Sequence, residues 1–410
     1  MAPSAAPVNV DQVNISTYSG LVARMLESEE AARRLGVKLS TLYAYVSRGL
    51  LVSHPSDDSR RRLFDADDVE QLARRSRGGR RVETRLASVT TGITQIRDNG
   101  PYYRGRQVVD LASTTTFEEV ADFLWKASPA PDEWTAIRLP RSPQLETSDL
   151  LKWVTVLCGA RDRFRADLRD ELVIRSARRL ITTMVHALPH ATVGSVDAGP
   201  TAAALARHLV PSALSEPVRR QLNRTVNVAL VLLADHELAT STVAVRVAAS
   251  TRADLYDAVL AGLGTMAGPL HGGASQLAYT LIQSAERDGI DRALNDSLRW
   301  QRMLPGFGHT VYKHGDPRVA PLLECFQELA RPDQRDLVFS LIQSAQDHDV
   351  PAPNVDLALA AVTWATGMPT DAGRTIFTIA RVVGWTAHYL EELGERPLRF
   401  RARAVYATSE

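Results

Sequence analysis

The feature that most limits the possible folds of this 410-residue chain is the spacing of its apolar residues after about position 116. Leucine and valine recur there at intervals of three and four, as in Leu222, Val226, Leu230 and Leu233. This is the period of a helix with one buried face, whereas the alternation typical of strands is nearly absent. The sequence therefore predicts a mainly α-helical fold. Examples of predicted helices are Phe117–Lys126, Leu150–Cys158, Asp167–Ala187, Pro217–Asp235, Thr251–Ala267 and Thr375–Leu393.

Residues 1–76 predict a small separate domain. Ser28–Val37 and Ser40–Leu50 each indicate a short capped helix that stops at a glycine. Two short helices joined through a glycine-containing turn are typical of a helix-turn-helix. Leu51–Phe64 then predicts a basic wing, and Asp65–Leu72 predicts a further helix.

This order resembles the winged helix-turn-helix of MerR-type and excisionase-like DNA-binding domains, over roughly residues 26–76. Residues 1–85 carry 14 basic and 11 acidic side chains, and a net charge of +3 is small for a DNA-binding domain. A module that packs on the rest of the protein or mediates assembly is therefore the alternative. The resemblance implies major-groove contacts from Ser40, Thr41, Tyr43, Tyr45 and Arg48, and phosphate contacts from Arg60, Arg61 and Arg62.

An arginine-rich run with two glycines predicts an exposed basic linker, which we place at residues 77–89. Residues 86–105 then predict strands or turns. The whole chain has 48 basic and 47 acidic residues, which argues against a surface built throughout for nucleic acid. No apolar run approaches the roughly 20 residues that cross a bilayer. The two cysteines lack metal-ligand spacing, and reduced cysteines suit the cytosol. Together these features lead us to expect a cytoplasmic protein without membrane contact.

Four polar clusters interrupt the helices of residues 90–410. Histidines beside glycines, an aspartate at the start of an apolar helix and several arginines predict acid–base chemistry on an anionic substrate. These residue types alone do not name the reaction. The clusters are Ala234–Glu237, Gly268–Ala274, Leu304–Arg318 and Pro353–Asp356.

In this order the clusters resemble the citrate synthase family, from roughly Thr90 to the C-terminus. Tyr103–Gly105, Phe117–Val120 and Ile379–His388 add to the match. The resemblance implies helical large and small domains, with the small domain within roughly residues 255–360. It also implies a homodimer with shared active sites and a reaction that needs no metal or redox cofactor.

The resemblance further assigns roles to single residues. Asp356 matches the base that removes a methyl proton from acetyl-CoA, and His271 matches the hydrogen-bond donor to the thioester oxygen. His309 matches the residue that polarises the ketone of oxaloacetate. The other matches are His236, Arg318, Arg381 and a neighbouring subunit's Arg401 for oxaloacetate, and Leu304, Pro305, Gly306, Phe307, Gly308 and Lys313 for CoA.

Several positions differ from residues common in the family. Leu357–Ala360 replaces an aromatic pair and a glycine, which bears on the choice of acyl chain, and Leu233, Ala239, Ser275 and Ala402 also differ. A 2-methylcitrate synthase that uses propionyl-CoA is therefore the alternative within the family. The alternative of another class is a DNA-binding regulator whose synthase-like region senses CoA esters or oxaloacetate.

Overall fold

The computed structural model describes residues 25–47, 51, 53–55, 62–66, 68–69, 89–189, 200–210, 214–269, 271–300, 304–312 and 315–401. The chain divides into two compact units, Met1–Leu86 and Ala87–Glu410. The division at residues 76 and 90 and the small domain within 255–360 stay predictions.

The first unit is a helix-turn-helix with a three-stranded antiparallel sheet. Helix α1 ends at Gly36, whose left-handed φ of 68° suits a residue without a side chain. Leu35, Leu42 and Phe64 lie in its buried apolar core. Its described elements are β1 (Met25–Glu27), α1 (Ser28–Leu35), α2 (Leu39–Ser47), β2 (His54–Pro55) and β3 (Arg62–Asp65), with sheet order β1-β3-β2.

The second unit begins with a small antiparallel sheet and continues as helices. The sheet has the order β4-β5-β6, so the predicted strands before Gly105 are present. Its strands are β4 (Thr94–Arg97), β5 (Gly100–Tyr103) and β6 (Arg106–Gln107). The helices are α3 (Val108–Thr114), α4 (Phe117–Trp125), α5 (Thr147–Arg161), α6 (Asp170–His186), α7 (Thr201–Leu209), α8 (Glu216–Leu233), α9 (Thr240–Ser250), α10 (Leu255–Met266), α11 (Ala274–Asp288), α12 (Ile290–Trp300), α13 (Val319–Leu329), α14 (Pro332–Asp347), α15 (Val355–Ala365) and α16 (Ala372–Leu393); residues 131–133 form a 3-10 turn.

Local capping explains where some of these helices begin. Thr116 and Glu119 form a reciprocal capping box that starts α4. The predicted start of a helix at Thr251 is wrong. The Asp254 side chain accepts a hydrogen bond from the Asp257 N–H, so α10 starts at Leu255, and Arg252 has a positive φ of 64°. In the described ranges, no helix combines the length and apolar content that crossing a bilayer requires.

Two apolar clusters form the core of the second unit, and α15 contributes to both of them. Val355, Ala358 and Leu359 belong to the larger cluster, which surrounds α16. Leu357 and Ala360 belong to the smaller cluster, together with residues of α11, α12 and α14. Because both sides of α15 are buried, its first turn has a fixed position between the clusters.

Candidate active site

His236 lies in a turn that other parts of the second unit hold in place. The turn follows α8, and Glu237 within it has a positive φ of 53°. The Asp235 N–H donates to the Tyr103 hydroxyl oxygen at 2.9 Å. The Thr94 hydroxyl donates to the Asp235 carboxylate at 2.6 Å. These contacts fix the position of Asp235, the residue directly before His236.

Three aromatic side chains meet in this region. The His236 Nε2 lies 3.0 Å from the Tyr312 hydroxyl. The ring centroids of His236 and His309 are 5.5 Å apart, and those of His309 and Tyr312 are 4.7 Å apart. Histidines from two distant sequence clusters therefore share one site.

The backbone sets the proton position on His309. The N–H groups of Val311 and Tyr312 both point at His309 Nδ1, at 3.0 and 3.2 Å. A nitrogen that accepts these bonds carries no proton, so in the neutral ring the proton is on Nε2. This N–H can donate a hydrogen bond to a ligand.

Arg318 supplies a positive charge beside His309 and Tyr312. Its Nη2 lies 3.5 Å from His309 Nε2, beyond the usual hydrogen-bond range, so the shorter bonds to Nδ1 decide the tautomer of the ring. The Arg318 guanidinium lies 5.5 Å from the centre of the Tyr312 ring. The buried Asp316 accepts from Arg318 Nε at 2.9 Å and from Nη2 at 2.8 Å. The same carboxylate accepts from the Val355 N–H at 3.0 Å, which ties Arg318 to the start of α15.

Asp356 lies in the first turn of α15. The Asn354 side chain caps the helix by accepting from the Asp356 N–H at 3.0 Å. Burial raises the pKa of the Asp356 carboxyl to about 6. The charges of Arg318 and Arg381 lower this pKa, and that of Asp316 raises it. A carboxylate with such a pKa can act as a base near neutral pH.

The loop assigned to CoA is joined to the segment that carries Asp356. The Gly308 N–H donates to the Ala352 carbonyl at 2.8 Å, and the Asn354 N–H donates to the Gly306 carbonyl at 2.9 Å. The Asn354 side chain donates to the Gly308 carbonyl at 2.8 Å. We call these three bonds the 306–354 bridge. The Gly308 N–H is thereby already engaged, so a ligand would use other groups of the loop.

His271 lies in the turn between α10 and α11. Its Nε2 is 2.8 Å from the Ser241 hydroxyl, whose oxygen accepts from the Trp385 indole N–H at 3.3 Å. A hydroxyl that accepts from Trp385 can donate its own proton to His271 Nε2. The remaining proton of the neutral ring is then on Nδ1, which can donate to a ligand.

Arg381 links the parts of the site electrostatically. It is buried in α16, and its Nε donates to the Leu233 carbonyl at 3.0 Å. Burial and the charge of Arg381 lower the pKa of His271. Burial and the charges of Arg318 and Arg381 hold the pKa of His236 well below its usual value, and burial and Arg318 lower that of His309. The three histidines are therefore neutral at pH 7, and the positive charge comes from the arginines.

The remaining predicted site residues lie elsewhere or outside the described residues. Arg401 is exposed and forms no hydrogen bond or ion pair with the site residues in the described part of this chain. Leu304 and Phe307 are buried. In the first unit Ser40, Tyr43 and Arg62 are exposed, whereas Thr41 and Tyr45 are half-buried. Lys313, Arg48, Arg60 and Arg61 lie outside the described residues.

Sequence reasoning missed four residues that hold this site together. Tyr312 and Asp316 lie inside the recognised Leu304–Arg318 cluster, so their positions near His309 and Arg318 were an available signal. Asn354 lies in the Pro353–Asp356 cluster, two residues before Asp356. Ser241 lies 30 residues from His271 and had no signal in the sequence.

Comparisons with known proteins found relatives for both units of the chain. The family model for the C-terminal domain of citrate synthase matches residues 83–403, and a helix-turn-helix model matches residues 25–77. Citrate synthase 2 of Bacillus subtilis is 28% identical over 360 residues, covering 78% of this chain and 94% of the relative. A 2-methylcitrate synthase of Mycobacterium tuberculosis is 27% identical over 332 residues, covering 74% and 84%.

A solved structure has a similar fold. The crystal structure of citrate synthase from Thermotoga maritima has a TM-score of 0.64 and 27% identity, covering 79% of this chain and 94% of that chain. The family match spans well over half of the chain, and the matched fold contains all the clustered site residues. The chain belongs to the citrate synthase family of acyltransferases and carries a helix-turn-helix domain at its N-terminal end.

Proposed function

We propose that this protein condenses acetyl-CoA with oxaloacetate and water to give citrate and CoA. The observation that carries this proposal is the combination of a carboxyl group of pKa about 6, Asp356, with neutral histidines whose free N–H groups can stabilise oxyanions. The relatives named citrate synthase support it. No cofactor or metal enters the proposed reaction.

In the first step Asp356 removes a proton from the methyl group of acetyl-CoA. The thioester oxygen gains negative charge as the enolate forms, and a hydrogen bond from His271 Nδ1 stabilises that charge. Because His271 is neutral, it stabilises that charge through a hydrogen bond and not through a net positive charge. The site thus allows a carboxylate base to remove a proton from a weakly acidic carbon.

In the second step the enolate carbon attacks the ketone of oxaloacetate, and the new alkoxide takes up one proton, which balances the proton that Asp356 removed. His309 Nε2–H donates to the ketone oxygen and polarises it, and Arg318 and Arg381 bind the carboxylates through planar guanidinium groups. Water then hydrolyses the thioester of citryl-CoA, which releases citrate and CoA.

The acyl donor is tested by thiol release with oxaloacetate and either acetyl-CoA or propionyl-CoA at matched concentrations. Rapid release with acetyl-CoA supports the proposal. A preference for propionyl-CoA would make the protein a 2-methylcitrate synthase, like another relative. Folded protein that binds oxaloacetate but releases no thiol would favour the ligand sensor.

The pH dependence of kcat/KM should follow Asp356. The base works only when it is ionised, so activity should fall below an apparent pKa near 6. Thiol release measured from pH 5 to 8, with stability checked at each pH, tests this. A flat profile over that range would contradict the assigned base.

Tyr312→Phe should weaken oxaloacetate binding, because it removes the hydroxyl that holds His236. The KM for oxaloacetate should rise about 3- to 10-fold, with kcat nearly unchanged. Tyr102→Phe is the matched control, since its hydroxyl bonds only to Asn99 in the described structure. Equal KM values for the two variants would argue against the contact with His236.

The proposed dimer predicts complementation between two inactive variants. Arg401→Ala lacks the residue proposed to enter the neighbouring subunit's site, and His309→Ala lacks a residue of its own site. Mixed dimers contain one site with neither substitution, so up to about half of the activity per dimer should return. Absence of recovery in verified mixed dimers would refute shared sites.

We propose DNA binding as a second function, on the strength of the helix-turn-helix match and the antiparallel wing of the first unit. Ser40 and Tyr43 on α2 and Arg62 on β3 are exposed and available for contacts. The half-buried Tyr45 packs against the core and is less available. Gel shifts with genomic fragments at two salt concentrations test this function, and the absence of a salt-sensitive shift at micromolar protein would exclude it.

A further inference from the structure

A line of buried polar contacts runs along α16, outside the cluster of proposed catalytic residues. Arg381, His388 and Glu392 are spaced seven and four residues apart, so they share one face of the helix. All three are essentially inaccessible to solvent. Arg381 belongs to the site, whereas Glu392 lies near the end of α16, before the segment that carries Arg401.

Arg246 of α9 is at the centre of this line. Its Nε donates to Glu392 at 2.9 Å, and its Nη1 donates to Glu391 at 2.7 Å. The same Nη1 lies 2.8 Å from His388 Nδ1. Because a guanidinium can only donate, His388 Nδ1 must accept, and the proton of the neutral ring is on Nε2.

At one end, this series of contacts reaches Asp235, the residue before His236. His388 Nε2–H donates to the Asp235 carboxylate at 3.3 Å. Asp235 is fully buried and is followed directly by His236 in the turn described above. Any rotation of His388 therefore changes a contact that holds this turn.

The other end of the line lies in the C-terminal segment. Arg399 donates to both oxygens of Glu392, from Nε at 2.7 Å and from Nη2 at 2.6 Å. Glu392 is thus shared between Arg246 and Arg399. Loss of the Arg399 side chain would leave Arg246 as the only described cation bonded to the Glu392 carboxylate, while Arg246 also bonds to Glu391.

Burying these charged side chains lowers the stability of the fold, which indicates that they have another role. One nitrogen of Arg246, Nη2, and one oxygen of Asp235, Oδ1, have no hydrogen-bond partner among the described residues. Burying charged groups with unsatisfied atoms destabilises a fold relative to apolar packing. What such a network does supply is a defined orientation for each member.

We propose that the contacts Arg399–Glu392–Arg246–His388–Asp235 are a positioning relay, through which the C-terminal segment sets the orientation of His236 and so the affinity for oxaloacetate. This inference rests on the proposed function. The members are positioning residues, since they act through His236 and do not touch the ligand.

Arg399→Gln tests the relay with little risk to the fold, because the Arg399 side chain is at the edge of the network. The C-terminal segment keeps two other attachments. The Leu398 N–H donates to the Ser250 carbonyl at 2.9 Å, and Arg252 donates to the Glu395 carbonyl at 2.8 Å. Arg396→Gln is the matched control, since Arg396 lies three residues away, is exposed, and forms no ion pair in the described structure.

We expect Arg399→Gln to raise the KM for oxaloacetate about 3- to 10-fold, with kcat within about twofold of wild type. Arg399→Lys should restore part of the affinity, because it keeps the charge but loses the two-pronged contact. Arg396→Gln should match wild type. An Arg399→Gln enzyme with the KM of Arg396→Gln would overturn the relay.

A double-variant cycle separates the relay from an effect through Arg401. If Arg399 acts through His236, Arg399→Gln should change KM little once His236→Ala is present. If the two fold-changes multiply, the effects are independent and the relay through His236 is wrong. Absence of thiol release by the wild-type protein would instead refute the proposed function, so the two failures are distinguishable.

Discussion

Asp356→Asn should reduce kcat by at least about 1,000-fold while leaving oxaloacetate binding nearly intact. The amide has the shape of the carboxylate but cannot remove a proton. The backbone N–H of residue 356 would still donate to the Asn354 side chain, and the place of the residue in α15 does not depend on the side-chain charge. Thiol release gives kcat, and calorimetric titration gives the affinity for oxaloacetate.

The same substitution should make the protein more stable near neutral pH. Burial raises the pKa of Asp356 from 3.8 in a model compound to about 6, so the ionised form destabilises the folded state at pH 7 and above. Asparagine removes this penalty, for a gain of about 1–3 kcal/mol. The gain should shrink as the pH falls below 6, because the wild-type carboxyl then becomes protonated in the folded protein.

Asp336→Asn is the control for both effects. Asp336 is exposed on α14, and its replacement should change neither kcat nor the unfolding temperature. An Asp356→Asn enzyme with more than about a tenth of wild-type turnover would contradict its role as the base. A variant less stable than wild type at pH 8 would contradict the burial of an ionised group.

Gly272→Ala should damage both the fold and the reaction. A Cβ at this position would lie 2.2 Å from the Met266 carbonyl oxygen and 3.1 Å from the Met266 sulfur. The backbone cannot easily move away, since the Gly272 N–H donates to the Gly268 carbonyl and its own carbonyl accepts from Arg374. We expect a loss of about 2–4 kcal/mol of unfolding free energy.

The displaced backbone carries His271, so kcat should also fall by about 10- to 100-fold. Gly264→Ala is the matched control in the preceding helix, where a Cβ meets nothing within 4 Å. It should preserve activity and add up to about 1 kcal/mol of stability, because alanine favours the helix. Urea unfolding and thiol release of the two variants measure both effects, and equal behaviour would contradict the close contact.

The sequence predicted the elements whose signals are local. Apolar spacing predicted α8 and α16, which are present. The polar clusters contain His271, His309 and Asp356, whose catalytic roles stay predictions. A helix boundary was wrong at Thr251 because the cap at Asp254 overrides the apolar pattern. The family match covers all four clusters, since it spans residues 83–403.

Contacts between distant segments could not be predicted in this way. Tyr312 meets His236 across 76 residues, and Arg246 meets Glu392 across 146. An arginine within a helix is usually exposed, and only the carboxylates of α16 make its burial possible. Leu357, whose bearing on the acyl chain stays a prediction, packs beneath Gly306, where an added Cβ would lie 2.8 Å from the Leu357 Cβ.

The backbone N–H groups of Gly308 and Asn354 each bond to the facing segment of the 306–354 bridge. Hydrogen exchange at the two amides should therefore require the same opening of the bridge. Under the proposed function, a CoA ester seated on the loop slows deuterium uptake at both positions, although only one lies beside the ligand. A small thioester without the nucleotide part would leave most of the loop uncovered, so it should change deuterium uptake at both positions little.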